Sequence, residues 1–156
     1  MKKIFALIAV SALLLTGCGD KKVSASADNL PTVTTNQGEA PTIGAPSGTP
    51  PSTLVTKDII VGTGAEALPT STMTVHYTLM TWSNGKLIES SWTSGSPATF
   101  PLANVIVGWQ QGIPGMKVGG RRLLVIPPDL GYGAQGGGPI GPNETLIFVV
   151  DAIGVA

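Results

Sequence analysis

The sequence predicts a strand-dominated α+β domain with a single short helix, preceded by an export signal and an unstructured tether. With 21 Gly and 13 Pro in 156 residues, a helical bundle is ruled out, because both residues interrupt helices. Five stretches of strand character follow one another after residue 54, two of them joined through Asn-Gly. Helical spacing of apolar residues occurs only between Val105 and Gly112.

At the N-terminus, Lys2 and Lys3 precede the apolar run Ile4–Leu15, and Leu-Thr-Gly-Cys follows, ending at Cys18. Such a run is too short to cross about 30 Å of hydrocarbon but suits the core of a signal peptide. The segment resembles a bacterial lipobox. That resemblance implies removal of residues 1–17 and acylation of Cys18, with more than one chain giving a stable anchor. Gly19 rather than Asp follows the Cys, which by the same resemblance points to the outer membrane, facing the periplasm. Cys18 is the only cysteine, so neither a disulfide nor thiol catalysis is available to the rest of the chain.

Residues 19–53 hold no aromatic side chain, and their few Val, Leu and Ile follow neither a strand nor a helix period. Such a segment buries too little apolar surface to offset its chain entropy. Residues 18–53 are therefore expected to form a disordered tether with an end-to-end span of roughly 30–35 Å.

The folded part is expected at 54–156, long enough for one modest core. Asp58 to Gly62 is a short apolar run closed by Gly. In residues 72–82 alternation places Met73, Val75, Tyr77 and Leu79 on one face and His76 on the other. Asn84-Gly85 is a strong hairpin signal, turning 86–92 back on that strand; Trp82 and Trp92, beside the turn, are read as surface or edge residues. Residues 121–127 and 145–155 are the most apolar runs and read as central strands, with Arg121 and Arg122 as a solvated strand end. The helix is expected at 105–112, capped by Asn104 and ended by Pro114 and Gly115. The loop from Asp129 to Asn143 carries six glycines, one tyrosine and one isoleucine, and long loops in compact domains are commonly functional.

Most reaction chemistries find no residues here. Nine basic and nine acidic residues balance, leaving no electrostatic footprint for nucleic acid. His76 is the only histidine, so the usual zinc ligand set is out of reach and no metal is expected. A Ser-His-Asp triad would need that same histidine. The run Gly131–Gly138 lacks the Lys-Ser/Thr of a phosphate loop and the order of a dinucleotide fingerprint. Nothing in the spacing of Glu66, Glu89, Asp129, Glu144 and Asp151 makes two carboxylates converge. What remains is a set of apolar and aromatic groups, among them a Trp at the start of the helix and a Tyr in the Gly-rich loop.

Taken in order, VHYTL, NGKLIESSW, VIVGWQQGIPGMKVGGRRLLVIPPDLGYG and GPIGPNETLIFVVDAI strongly resemble the FKBP-type peptidyl-prolyl cis-trans isomerases across essentially all of 54–156. The resemblance implies a twisted antiparallel sheet of five or six strands wrapped round one short helix, with an apolar hollow between them. It implies Trp109 as the floor; Tyr77, Phe100, Val105, Ile106 and Phe148 as walls; and Ile140 as the apolar residue lent by the long loop. The Tyr132 hydroxyl and the Ile106 N–H would donate to ligand carbonyls. Ile88 and Glu89 stand where the family usually has Phe-Asp, Glu89 thus taking the carboxylate position of the site, and an aromatic residue common at Ala98 is missing. Leu79 replaces a frequent Gly, with no consequence expected for the hollow.

The implied activity is isomerisation of X-Pro bonds in exported polypeptides, needing no cofactor. The implied partners are proline-containing polypeptides and, through Cys18, a membrane; the chain is expected to be monomeric. The departures at Ile88, Glu89 and Ala98 leave an alternative, a weakly active or non-catalytic peptide-binding module.

Overall fold

The structure, a computed structural model, describes residues 29–156. The signal segment and Cys18 lie outside the described residues. Among the described residues, no helix is long and apolar enough to cross a membrane.

Six strands form one antiparallel sheet: β1 (Val55–Ile60), β2 (Thr72–Thr81), β3 (Leu87–Ser90), β4 (Ala98–Pro101), β5 (Arg121–Ile126) and β6 (Leu146–Val155). They run in the order β1-β5-β6-β2-β3, and β4 pairs with the first half of β2 where β3 has ended. The single turn α1 (Ser91–Ser94) links β3 to β4, and α2 (Val107–Gly112) lies between β4 and β5.

Apart from Arg121, Arg122 and Asp151, strands β5 and β6 are apolar, because both faces of the sheet are covered. On the inner face Leu124, Ile126, Phe148 and Val150 join Met73, Val75 and Leu79 beneath α2. On the outer face Leu123, Val125, Ile147 and Val149 form a second cluster with Trp82.

That outer cluster is covered by the segment expected to be a free tether. Leu30, Val33 and Ile43 pack against it, and Val33 and Ile43 are bridged, with Gly44 N–H donating to Thr32 O at 2.8 Å. The Trp82 indole N–H donates to Gly48 O at 3.2 Å, and Trp82 is buried rather than at the surface. Arg121 is no solvated strand end either: it is fully buried. Its Nε donates to Asp151 at 2.7 Å, and its two terminal nitrogens donate to Thr34 O at 2.9 Å and Glu39 O at 2.6 Å. The Asp151 carboxyl is pushed up by burial and pulled down by this guanidinium. Residues 30–53 lack any period because, beyond the isolated Val33–Ile43 bridge, they form no strand or helix against which to measure one; their ordering comes from an apolar face that belongs to distant strands.

Helix α2 also starts later than expected. Val107 is its first residue, Ile106 occupies the cap position without a side-chain bond, and Asn104 belongs to the preceding turn, 102–104. Two glycines let the helix settle onto β5: a Cβ on Gly108 would run into the Ile126 side chain, and one on Gly112 would come within 2.6 Å of Leu124. Pro114 and Gly115 (φ 84°) end the helix, and the Gly115 N–H donates to Ala67 O at 2.8 Å.

Candidate active site

Alternation along β2 aims Tyr77 and Leu79 at α2, while the close seat of the helix brings Trp109 down onto the sheet. Trp109 is 4% exposed. Three rings stand edge-on around its indole: Phe148 at 5.3 Å and 82°, Tyr77 at 5.9 Å and 83°, Phe100 at 5.9 Å and 88°. Edge-to-face packing of this kind suits the aromatic quadrupole and holds each ring in place. Above the rings opens a cavity of about 380 Å³, walled further by Leu79, Glu89, Val105 and Ile106, with Asn104 and Tyr132 also lining it.

Polar groups are sparse in this hollow. The Tyr132 side chain, 42% exposed, and the Ile106 N–H make no hydrogen bond among the described residues; both are free to donate. The Trp109 indole N–H is buried without a partner. The one charged side chain is Glu89, and Tyr77 donates to its carboxylate at 2.6 Å. Burial, then this bond and the neighbouring negative charge, push the Tyr77 hydroxyl far above its ordinary range, so it stays a protonated donor.

Tyr132 is presented by a loop that is ordered despite its glycines. Gly133 N–H donates to Pro128 O at 2.7 Å, Asn143 N–H to Gly133 O at 3.0 Å, and Gly137 and Ile140 exchange bonds at 2.9 and 3.0 Å. His76 faces away from the hollow. It shares a hydrogen bond with Ser91 Oγ at 2.9 Å and stacks on Trp92 at 4.0 Å, while the Tyr77 N–H donates to the same Ser91 oxygen at 2.9 Å. That arrangement ties α1 to β2 on the side away from the aromatic floor. The hollow therefore offers apolar surface and a few donors, arranged to seat a small ring and orient a carbonyl.

Comparison with known proteins gives the same reading. The family model for FKBP-type peptidyl-prolyl cis-trans isomerases matches residues 64–153. The chain belongs to this family. The FK506-binding protein of Streptomyces anulatus is 48% identical over 121 residues, covering 75% of this chain and 98% of its own. The outer membrane protein MIP of Legionella longbeachae is 44% identical over 106 residues, 67% of this chain but 45% of that protein. Among solved structures, FkpA from Escherichia coli matches with a TM-score of 0.62 at 39% identity, covering 65% of this chain and 47% of FkpA.

Within this FKBP-type domain, eight of the ten residues expected at the site line the hollow: Tyr77, Glu89, Phe100, Val105, Ile106, Trp109, Tyr132 and Phe148. The other two, Ile140 and Ile88, pack in the same apolar cluster as Trp109 and Phe148. Ile88 is the extra residue of a bulge, since Leu79 pairs with Glu89 but Met80 with Leu87. Two lining residues were missed. Leu79, thought inconsequential, is part of the wall, and Asn104, expected to cap the helix, lines the cavity instead. The inward alternation of β2 carried the signal for Leu79, whereas nothing in the sequence marked Asn104.

Proposed function

We propose that this domain accelerates cis-trans rotation of X-Pro bonds in exported polypeptides, acting from a lipid anchor at Cys18 on the outer membrane, facing the periplasm. The observation that carries this reading is the box of three rings standing on a buried Trp109, next to uncommitted donors at Ile106 and Tyr132.

The chemistry follows from amide resonance. Planarity holds an amide with a barrier of about 18–20 kcal/mol, and uncatalysed X-Pro rotation takes tens to hundreds of seconds. Resonance places negative charge on the carbonyl oxygen, so water stabilises the planar form more than the twisted one. A dry hollow removes that water. The pyrrolidine ring sits on Trp109 among Tyr77, Phe100 and Phe148, and Val105 and Ile106 close the side. The donors orient the carbonyl. Glu89 acts by holding the Tyr77 hydroxyl. Surface complementary to the twisted amide and not to the planar one lowers the barrier, without a nucleophile or a cofactor. The envelope assignment draws on the lipobox resemblance and on the likeness to the Legionella outer membrane protein.

The test is a protease-coupled assay on short X-Pro peptides. The wild-type chain accelerates isomerisation at micromolar concentration, and Trp109→Ala lowers kcat/KM by well over tenfold. No acceleration by the folded wild-type chain would leave a peptide-binding module without turnover, whose binding is read by tryptophan fluorescence.

A further inference from the structure

Where the covering segment meets the sheet lies a second cavity, and we propose that it binds a neutral saccharide. It measures about 450 Å³ and is walled by the 46–50 stretch of the covering segment, the end of β2 and residues 143–145 ahead of β6. No residue lines both this cavity and the aromatic hollow. Its volume falls within the range of small-molecule sites, roughly 300–1,000 Å³.

The three walls are tied to one another. The Trp82 indole N–H donates to Gly48 O at 3.2 Å, and the Trp82 backbone N–H donates to Thr145 O at 2.9 Å. Ser83 donates to both oxygens of the Glu144 carboxylate, from its N–H at 3.0 Å and its hydroxyl at 2.7 Å. Asn143, at φ 53°, is the only residue other than glycine in the left-handed region among the described residues, a conformation that asparagine tolerates better than most. Its N–H donates to Gly133 O at 3.0 Å, which fixes the root of its side chain.

Three polar groups of the lining are left over. The Ser47 hydroxyl, the Asn143 side-chain amide and the Thr145 hydroxyl make no hydrogen bond among the described residues. Thr145 matters most. It is only 5% exposed, yet its hydroxyl is not sealed in the core, so the part of it that is open faces the cavity. A side-chain oxygen so deeply set and without a partner is uncommon in folded proteins, and this one is placed to meet whatever enters.

The lining selects the class of ligand. Its single charge is the Glu144 carboxylate, with no basic side chain beside it, which turns away phosphates and carboxylates. An amide and a hydroxyl each donate and accept. The hydroxyls of a sugar do the same, whereas an ammonium group can use the acceptors alone. The free lone pairs of Glu144 accept from neighbouring sugar hydroxyls, and Pro46 and Pro50, both half-buried, offer apolar surface to the C–H groups of the ring.

The experiment titrates the full chain with methyl glucoside, methyl galactoside, methyl mannoside and N-acetylglucosamine, followed by backbone amide NMR shifts. Butylammonium and inorganic phosphate serve as cationic and anionic probes. At least one sugar binds with a millimolar Kd, and the shifts gather at Trp82, Ser83 and residues 143–145. Thr145→Val keeps the shape and loses the hydroxyl; Asn143→Gly keeps the left-handed turn and loses the amide. Each raises the Kd at least fivefold. Melting temperature and near-UV circular dichroism establish that each variant is folded, and if one is not, the other decides. The proposal is overturned if none of the four sugars binds, if the shifts gather at the aromatic hollow, or if the Kd is unchanged in a folded variant. Tighter binding of butylammonium or phosphate than of any sugar overturns it as well.

Discussion

Tyr132 reaches the rim of the hollow with its hydroxyl uncommitted, so its contribution is a single added donor. A neutral hydrogen bond contributes about 0.5–1.5 kcal/mol net; Tyr132→Phe accordingly lowers kcat/KM by roughly threefold to tenfold, with the melting temperature unchanged. Tyr77 behaves differently, because its hydroxyl is bonded to Glu89 and held protonated. Its folded-state pKa lies above the unfolded value of about 10. The stabilisation is thus complete below pH 10 and is lost as pH rises from there, since the unfolded chain releases the proton first. Urea unfolding followed from pH 8 to 11.5 shows stability falling above pH 10 in the wild type, with a smaller slope in Tyr77→Phe. Equal slopes would mean that Tyr77 is not the group whose titration sets this dependence. The pair was partly legible in advance: strand alternation turned Tyr77 inward, but only the bulge in β3 shows why Glu89, and not Ile88, faces it.

At the level of elements, the hollow depends on how closely α2 approaches the sheet and on what lies behind that sheet. Gly108 and Gly112 set the first, one helical turn apart against Ile126 and Leu124. The second is set by residues 29–53, which the sequence reading left free because they show no period. Their ordering rests on a buried guanidinium: Arg121 links Asp151 to the carbonyls of Thr34 and Glu39. Removing one partner of a buried pair leaves an uncompensated charge and costs about 3–5 kcal/mol. Arg121→Ala therefore destabilises the chain by about that much in urea unfolding, and limited proteolysis then cuts within 29–53 before any other segment. Protection of that segment in the variant would show that the apolar contacts of Leu30, Val33 and Ile43 suffice. Arginine at a strand terminus reads as solvated from sequence, because its burial comes from a segment about 80 residues away.

For the whole molecule, residues 29–53 cover the outer face, on the side of the sheet away from the hollow, so the hollow stays open to client chains. If Cys18 is acylated, palmitate labels the expressed chain and Cys18→Ser abolishes the label; a label that persists would remove the anchor from the reading. The sequence by itself determined the fold class, the inward face of β2, the two apolar central strands and most of the hollow's lining, because periodicity, turn residues and an ordered set of fragments are local properties of a chain. The tertiary structure decided the rest: that residues 29–53 are ordered, that Arg121 and Trp82 are buried, and that Leu79 and Asn104 line the hollow. Burial and side-chain direction at these positions depend on partners distant in sequence, which no local pattern encodes.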